Sequence, residues 1–158
     1  MKLTKRFILK YLIIAGVIFF LGLLLLNFVC VPGIIRGISM KPTYLEGQSN
    51  YCWRFAFSFS KPKRFDVVMA RFPEIEVKFL KRIVAFENET VELRNGKLFV
   101  NGKEIQENYV KYPCSWNMKP IKVATGKVFI VGDNRSMPMG EHMCGETSVQ
   151  NIIGTPVF

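Results

Sequence analysis

The sequence predicts a mainly β protein, with one N-terminal transmembrane helix followed by an all-β domain of curved antiparallel sheets. Three observations predict it: one long uncharged apolar run near the N-terminus, period-2 hydrophobic patterns between turn residues through the remainder, and no long amphipathic helical pattern there. At 158 residues, the chain has the length of one ordinary domain. With 49% hydrophobic and 22% charged residues, its composition excludes a disordered or fibrous protein.

The apolar run is Tyr11–Val31, 21 residues in which Asn27 is the only strongly polar side chain. As a helix it would span about 31 Å, the thickness of a bilayer's hydrocarbon core. It exceeds the roughly 7–15 residues of a signal-peptide apolar region. It also ends Asn27-Phe28-Val29-Cys30-Val31-Pro32, with no small-residue cleavage pattern and with residues too bulky before Cys30 for lipoprotein processing. An uncleaved anchor is expected. Lys2, Lys5, Arg6 and Lys10 precede it without an acid and carry +4 of the total charge of +10. The basic flank predicts that residues 1–10 stay in the cytoplasm and that residues 32–158 form an extracytoplasmic, periplasmic-side β domain of a single-pass protein of the cytoplasmic (inner) membrane. This placement of charge speaks against a nucleic-acid partner, which needs a basic face on the folded domain itself.

In the exported part, Tyr51–Phe59 alternates aromatic with small or polar residues and reads as a strand. Phe65–Phe72, bounded by Pro73, and the long Glu76–Phe86 read likewise. Thr90–Arg94 and Lys97–Val100 flank Asn95-Gly96, the strongest short hairpin signal, and Asn101-Gly102 marks a second turn. Lys127–Val131 is a short strand that ends in Gly132-Asp133-Asn134. Asn88-Glu89-Thr90 has the form of a glycosylation acceptor and reads as a chance match at a turn.

The cysteines are Cys30, placed in the anchor, and Cys52, Cys114 and Cys144 outside it, which allow at most one bridge in the domain. No C-x-x-C occurs and His142 is the only histidine, so no metal site is expected. A Ser-His-Asp triad would have to use His142. No zinc-protease helix motif, Walker loop or dinucleotide fingerprint is present.

One lysine stands out. Along Val77, Phe79, Lys81, Ile83 and Ala85, alternate residues of one strand, only Lys81 is polar; Lys78, Leu80, Arg82, Val84 and Phe86 form the other face. Burial on such a face disfavours the ammonium and lowers the amine's pKa, by up to roughly 3–5 units when complete. A neutral amine is a competent general base. The alternative is a lysine at a sheet edge that snorkels to water. The best candidate nucleophile is Ser39, in the turn-like Arg36-Gly37-Ile38-Ser39-Met40-Lys41-Pro42-Thr43 just beyond the anchor.

These residues resemble the type I signal peptidases, membrane-bound Ser-Lys proteases. Ser39-Met40-Lys41-Pro42-Thr43 is similar to the family's nucleophile box, and Trp53-Arg54-Phe55-Ala56-Phe57 to its membrane-facing strand. Arg64-Phe65-Asp66-Val67-Val68, Lys81-Arg82-Ile83-Val84 and Gly132-Asp133-Asn134-Arg135, with Gly145 and Ile152-Ile153-Gly154, follow in the family's order. There are departures. The turn after the lysine box is Ala85-Phe86-Glu87-Asn88-Glu89. In the last box, the position of the serine that bonds the family's lysine is Pro138, and the Asp-to-Arg contact is replaced by a stretch holding Glu141 and His142.

The resemblance implies a Ser-Lys endopeptidase that needs no cofactor and no metal. Neutral Lys81 would take the proton from Ser39, whose backbone N–H would be one oxyanion donor. Gly37 stands where many members have a hydroxyl donor, Ser136 would substitute for the missing serine, and Asp133 and Arg135 would support the site. Ile38, Met40, Pro42, Phe79 and Val84 would contact substrate. Expected partners are the signal peptides of exported preproteins, bound by strand addition, together with the lipid bilayer and the export machinery. Three other readings stay open: a dedicated processing peptidase of a pilin, conjugation or secretion system, an inactive peptide-binding homologue, and a lipid-apposed anchor using Lys61, Lys63 and Arg64 beside Phe55, Phe57 and Phe59.

Overall fold

In the computed structural model, which describes residues 2–72 and 75–157, the chain is one long helix followed by eleven strands. Helix α1 runs Lys2–Val29, and its segment Phe7–Val29 is long and apolar enough to cross a membrane; the β domain touches it only near its C-terminal end, at Phe28 and Val29. Asn27 donates its side-chain amide to Leu23 O at 2.9 Å, so the one strongly polar residue is satisfied within the helix. The helix ends two residues before the apolar run does. Cys30 and Val31 belong to strand β1 (Cys30–Ile34), paired with β2 (Ser49–Trp53), so Cys30 is not part of the anchor helix. Among the described residues all four cysteines are free thiols.

The other strands are β3 (Val67–Phe72), β4 (Ile75–Phe86), β5 (Thr90–Arg94), β6 (Lys97–Val100), β7 (Lys103–Ile105), β8 (Met118–Lys122), β9 (Lys127–Val131), β10 (Gly145–Ser148) and β11 (Ile152–Pro156). They form a seven-stranded sheet in the order β1-β2-β11-β3-β4-β9-β10 and a four-stranded sheet in the order β7-β6-β5-β8, and every described pairing is antiparallel. Both Asn-Gly pairs make tight hairpins with positive φ at each residue: 49° and 78° at Asn95-Gly96, 52° and 75° at Asn101-Gly102. Asn88 also sits at positive φ in the turn after β4.

Burial follows the pleat. In β5 and β6, Val91, Leu93, Leu98 and Val100 point into a core shared with Val84, Ala85, Phe129 and Val131 of the large sheet, and this core joins the two sheets. On the other face of the large sheet, Val68, Ala70, Ile83, Val128 and Ile130 form a second core, flanked by Phe57, Phe72, Phe86 and Ile152. β9 therefore reads as a continuous apolar run because both its faces are buried.

Two expectations about strands need correcting. Tyr51–Phe59 is not one strand: β2 stops at Trp53, and Arg54–Ser60 turns, with Ser58 N bonded to Phe55 O and Ser60 Oγ to Ala56 O. The strict alternation along β4 also fails after Ile83. Ile83 pairs with Ile130 but Ala85 pairs with Phe129, so an extra residue is inserted and the side-chain faces exchange. Ile83 faces the second core; Val84 and Ala85 face the first. Pro73 lies outside the described residues.

Candidate active site

Ser39 sits in a loop closed at its base by Ile35 N to Gln48 O and Gly47 N to Ile35 O, both 2.9 Å. Gly37 and Gly47 take φ of +85° and +82°, conformations that a side chain would strain. Within the loop, Lys41 N bonds Ile38 O and Tyr44 N bonds Met40 O, while the Met40 side chain, expected to contact substrate, is instead buried. No acceptor lies on the Ser39 backbone N–H among the described residues. The Gly37 N–H is held by Glu46 Oε1 at 3.2 Å, so this residue contributes loop shape and, lacking a hydroxyl, no side-chain donor.

Lys81 is 1% exposed and pairs across the sheet with the buried Val68. Its Nζ lies 2.9 Å from Ser39 Oγ and 2.6 Å from the carbonyl oxygen of His142. It does not snorkel. Burial pushes its pKa down to about 8 against the smaller opposing influence of Cys144 and Asp133. The amine has two neutral oxygen partners and no carboxylate, which is what permits the neutral form.

The next residue, Arg82, points the other way. Its Nε and Nη2 make a forked pair with Asp133 at 2.8 and 2.6 Å, its Nη1 donates to Phe65 O at 2.7 Å, and the guanidinium lies 4.0 Å over the Tyr109 ring. Asp133 also accepts from Thr43 Oγ1 at 2.5 Å, so it binds the serine loop to β4. Asn134 adds two bonds to that loop, N–H to Ser39 O at 2.9 Å and Nδ2 to Ile38 O at 3.0 Å. Arg135, wholly buried, donates to Gly132 O at 2.8 Å and pairs with Glu107 at 2.5 Å. Gly132 must be glycine: a Cβ there would lie 2.3 Å from Ser39 O and 2.6 Å from His142 Cε1.

The structure brings Ser39, Lys81, Gly37, Asp133 and Arg135 into one region and reassigns others. Ser136 does not reach the lysine; its hydroxyl donates to Asn134 Oδ1 at 2.6 Å, and the main-chain carbonyl of His142 stands where a serine oxygen was expected. Val84 cannot line a substrate surface here, because it lies past the β4 irregularity in the core between the sheets. Ile38 and Pro42 are exposed, and the half-buried Phe79 stacks edge-on against Phe72 at 5.5 Å. Arg64 is not free for lipid, being tied to Glu89 at 2.6 Å and to Val84 O at 2.5 Å. His142 is no partner for a triad: its Nε2 meets Asn134 O at 3.0 Å, and burial pushes its pKa down to about 3. The reading of the sequence missed the direct roles of Thr43, Arg82, Asn134 and His142. The first three lie inside the quoted motifs; for His142 the only signal was its being the sole histidine.

Fold and geometry thus define a class: an antiparallel β domain, joined to an apolar helix, that presents a serine hydroxyl to a buried lysine amine. Residues 5–158 match the family "Signal peptidase, peptidase S26". The chain is 37% identical over 138 residues to thylakoidal processing peptidase 1 of Arabidopsis thaliana, covering 80% of this chain and 41% of that one. It is 34% identical over 146 residues to probable signal peptidase I-1 of Synechocystis, covering 87% and 74%. It is 30% identical over 160 residues to signal peptidase I V of Bacillus subtilis, covering 92% and 95%. A crystal structure of a signal peptidase I from Enterococcus faecalis has a similar fold, with a TM-score of 0.50 and 24% identity over 61% of this chain and 97% of that one. The chain belongs to the signal peptidase family, peptidase S26, and is a serine peptidase by class.

Proposed function

We propose that this protein is a membrane-bound endopeptidase that removes signal peptides from exported preproteins through a Ser39–Lys81 dyad. The observation that carries the reading is the 2.9 Å contact between Ser39 Oγ and the amine of Lys81, which is buried without a counter-ion. In this reading neutral Lys81 takes the hydroxyl proton as Ser39 Oγ attacks the scissile carbonyl. The Ser39 N–H donates to the oxyanion. Lys81 passes the proton to the leaving amine and then activates the water that releases the acyl group.

Substrate alignment is supported by the sheet. β9 pairs with β4 only from Arg82 onward, so the stretch of β4 from Val77 to Lys81 keeps one edge open among the described pairings, and that edge runs toward Ser39. An extended peptide adding to this edge would bring its carbonyl to the serine. Ile38 and Phe79, flanking the dyad, suit small side chains near the cut. The helix supports a single-pass membrane location with its basic end in the cytoplasm and the β domain on the outer side. Phe59 is 91% exposed on the turn after β2 and Phe28 packs against Phe55 at 6.0 Å, so an aromatic surface adjoins the helix end.

The test is cleavage of a model preprotein by the detergent-solubilised chain. Wild type should cut after a small residue, Ser39→Ala and Lys81→Ala should not, and Lys81→Arg should fail too, because a guanidinium stays charged. Cleavage by folded Lys81→Ala at the wild-type rate would remove the dyad.

A further inference from the structure

Lys81 is oriented by a main-chain carbonyl, and a carbonyl is only as fixed as its own residue. Three contacts fix this one. The His142 ring lies edge-on to Trp116 at 4.6 Å between centroids, it packs on the bare Cα of Gly132, and its Nε2 meets Asn134 O at 3.0 Å. Since a carbonyl oxygen only accepts, the ring must carry its proton on Nε2, and Nδ1, buried without a partner, holds the lone pair. On the main chain, His142 N donates to Met139 O at 3.2 Å and the following Met143 turns through a φ of +49°.

Asn134 is the same residue that grips Ser39 O and Ile38 O. His142 therefore ties both halves of the site, one with its ring and one with its main chain. Through Asn134 it holds the serine turn, and through its own carbonyl it holds the lysine. Resting on the Ser39–Lys81 reading, we infer that His142 is a positioning residue of this dyad: its carbonyl aims the Lys81 lone pair at Ser39, and its imidazole N–H locks that carbonyl in register with the nucleophile turn. It takes over the orienting role at a site where Pro138 offers no hydroxyl. The charged and titratable groups around the pair are Asp133 and Arg135 from the turn after β9 and Cys144 from the approach to β10.

The experiment compares wild type, His142→Phe and His142→Gln as full-length chains in detergent. Phenylalanine keeps the ring against Trp116 and Gly132 but loses the N–H; glutamine keeps an N–H near the Nε2 position. The expected result is that His142→Phe lowers kcat by about 10²-fold with KM nearly unchanged, as for misplacement of a reacting group, while His142→Gln stays within a few-fold of wild type. A folded Phe variant with wild-type kcat, or a folded Gln variant as impaired as Phe, overturns the inference.

A second readout needs no turnover. In the Ser39→Ala chain, NMR titration of the lysine side-chain carbons reports Lys81 directly. A carbonyl acceptor favours the ammonium over the amine, so adding His142→Gln should leave the Lys81 curve in place and adding His142→Phe should move it to lower pH. Coincident curves for Phe and the parent, or a Gln curve displaced as far as Phe's, overturn the inference whatever the wild type cleaves. Absence of Ser39-dependent cleavage with the curves behaving as expected would overturn the peptidase reading alone.

Discussion

Lys81 and Arg82 are neighbours on one strand, both largely removed from water, yet the two faces of β4 treat their charges in opposite ways. On the Lys81 face the amine meets only neutral oxygens, and burial depresses its pKa to about 8. On the Arg82 face burial works against the charge too, but the hydrogen bond and charge of Asp133 outweigh it and the pKa is raised. The presence or absence of one carboxylate thus separates a fixed structural cation from a titratable base. The pleat sends Lys81 and Arg82 to opposite faces, and Asp133, from the turn after β9, bonds the arginine alone of the two.

The largest effect that would break this contrast is on catalysis. Lys81→Met fills much of the same volume without a base and should lower kcat/KM by roughly 10²–10⁴-fold, the usual contribution of a general base. Retained cleavage by folded Lys81→Met would show that the amine is only a buried structural group.

Next comes the stability of the other face. Asp133→Ala strips the buried guanidinium of its forked partner and frees Thr43 as well, and removing one member of a buried ion pair costs about 3–5 kcal/mol. Chemical denaturation followed by tryptophan fluorescence should show a loss of that size. A loss below about 1 kcal/mol would mean that water already solvates Arg82.

A smaller and opposite effect is expected at Lys81. The folded pKa, about 8, lies below the unfolded value of 10.5, so below pH 8 the folded state bears the full cost of a buried ammonium. That shift corresponds to about 3 kcal/mol at about 1.4 kcal/mol per unit, and methionine gives back part of it by leaving Ser39 Oγ and His142 O without the amine. Lys81→Met should therefore stabilise the chain by roughly 1–3 kcal/mol at neutral pH. The gain should shrink between pH 8 and 10.5, where the unfolded state binds more protons and the wild type gains stability. A destabilised Lys81→Met with no such convergence would place the amine in contact with solvent.

How much of this was visible in the chain depends on whether side-chain identity or backbone geometry carried the information. The Asn-Gly hairpins, the apolar face around Lys81 and the Gly132–Arg135 turn are written in residue types. β1, β8, β10 and β11 were hidden because they contain Pro32 and Gly33, Pro120, Gly145, and Gly154 and Pro156, residues that argue against strands. The fold accommodates them: β1, β8 and β10 are edge strands, and Gly154 sits where a Cβ would fall 2.2 Å from Trp53 O. The irregularity beside Val84 moved one predicted substrate residue into the core. His142 was invisible for another reason. Its contact with Lys81 is made by a backbone oxygen that every residue has, so only the three-dimensional setting gives it meaning.

The finest test of the contrast is the pH dependence of cleavage. For a lysine base only the neutral amine counts, so kcat/KM should climb about tenfold per pH unit up to pH about 8 and then level off. Charge on Asp133 favours the ammonium, so Asp133→Asn, where it folds, should shift that limb toward lower pH by a fraction of a unit. The histidine cannot produce the limb, because its pKa near 3 leaves it neutral throughout this range. A limb near 6.5 would instead mark a solvated imidazole as the base. A flat profile from pH 6 to 9 would mean that neither face of β4 titrates, and that the difference between Lys81 and Arg82 is one of shape alone.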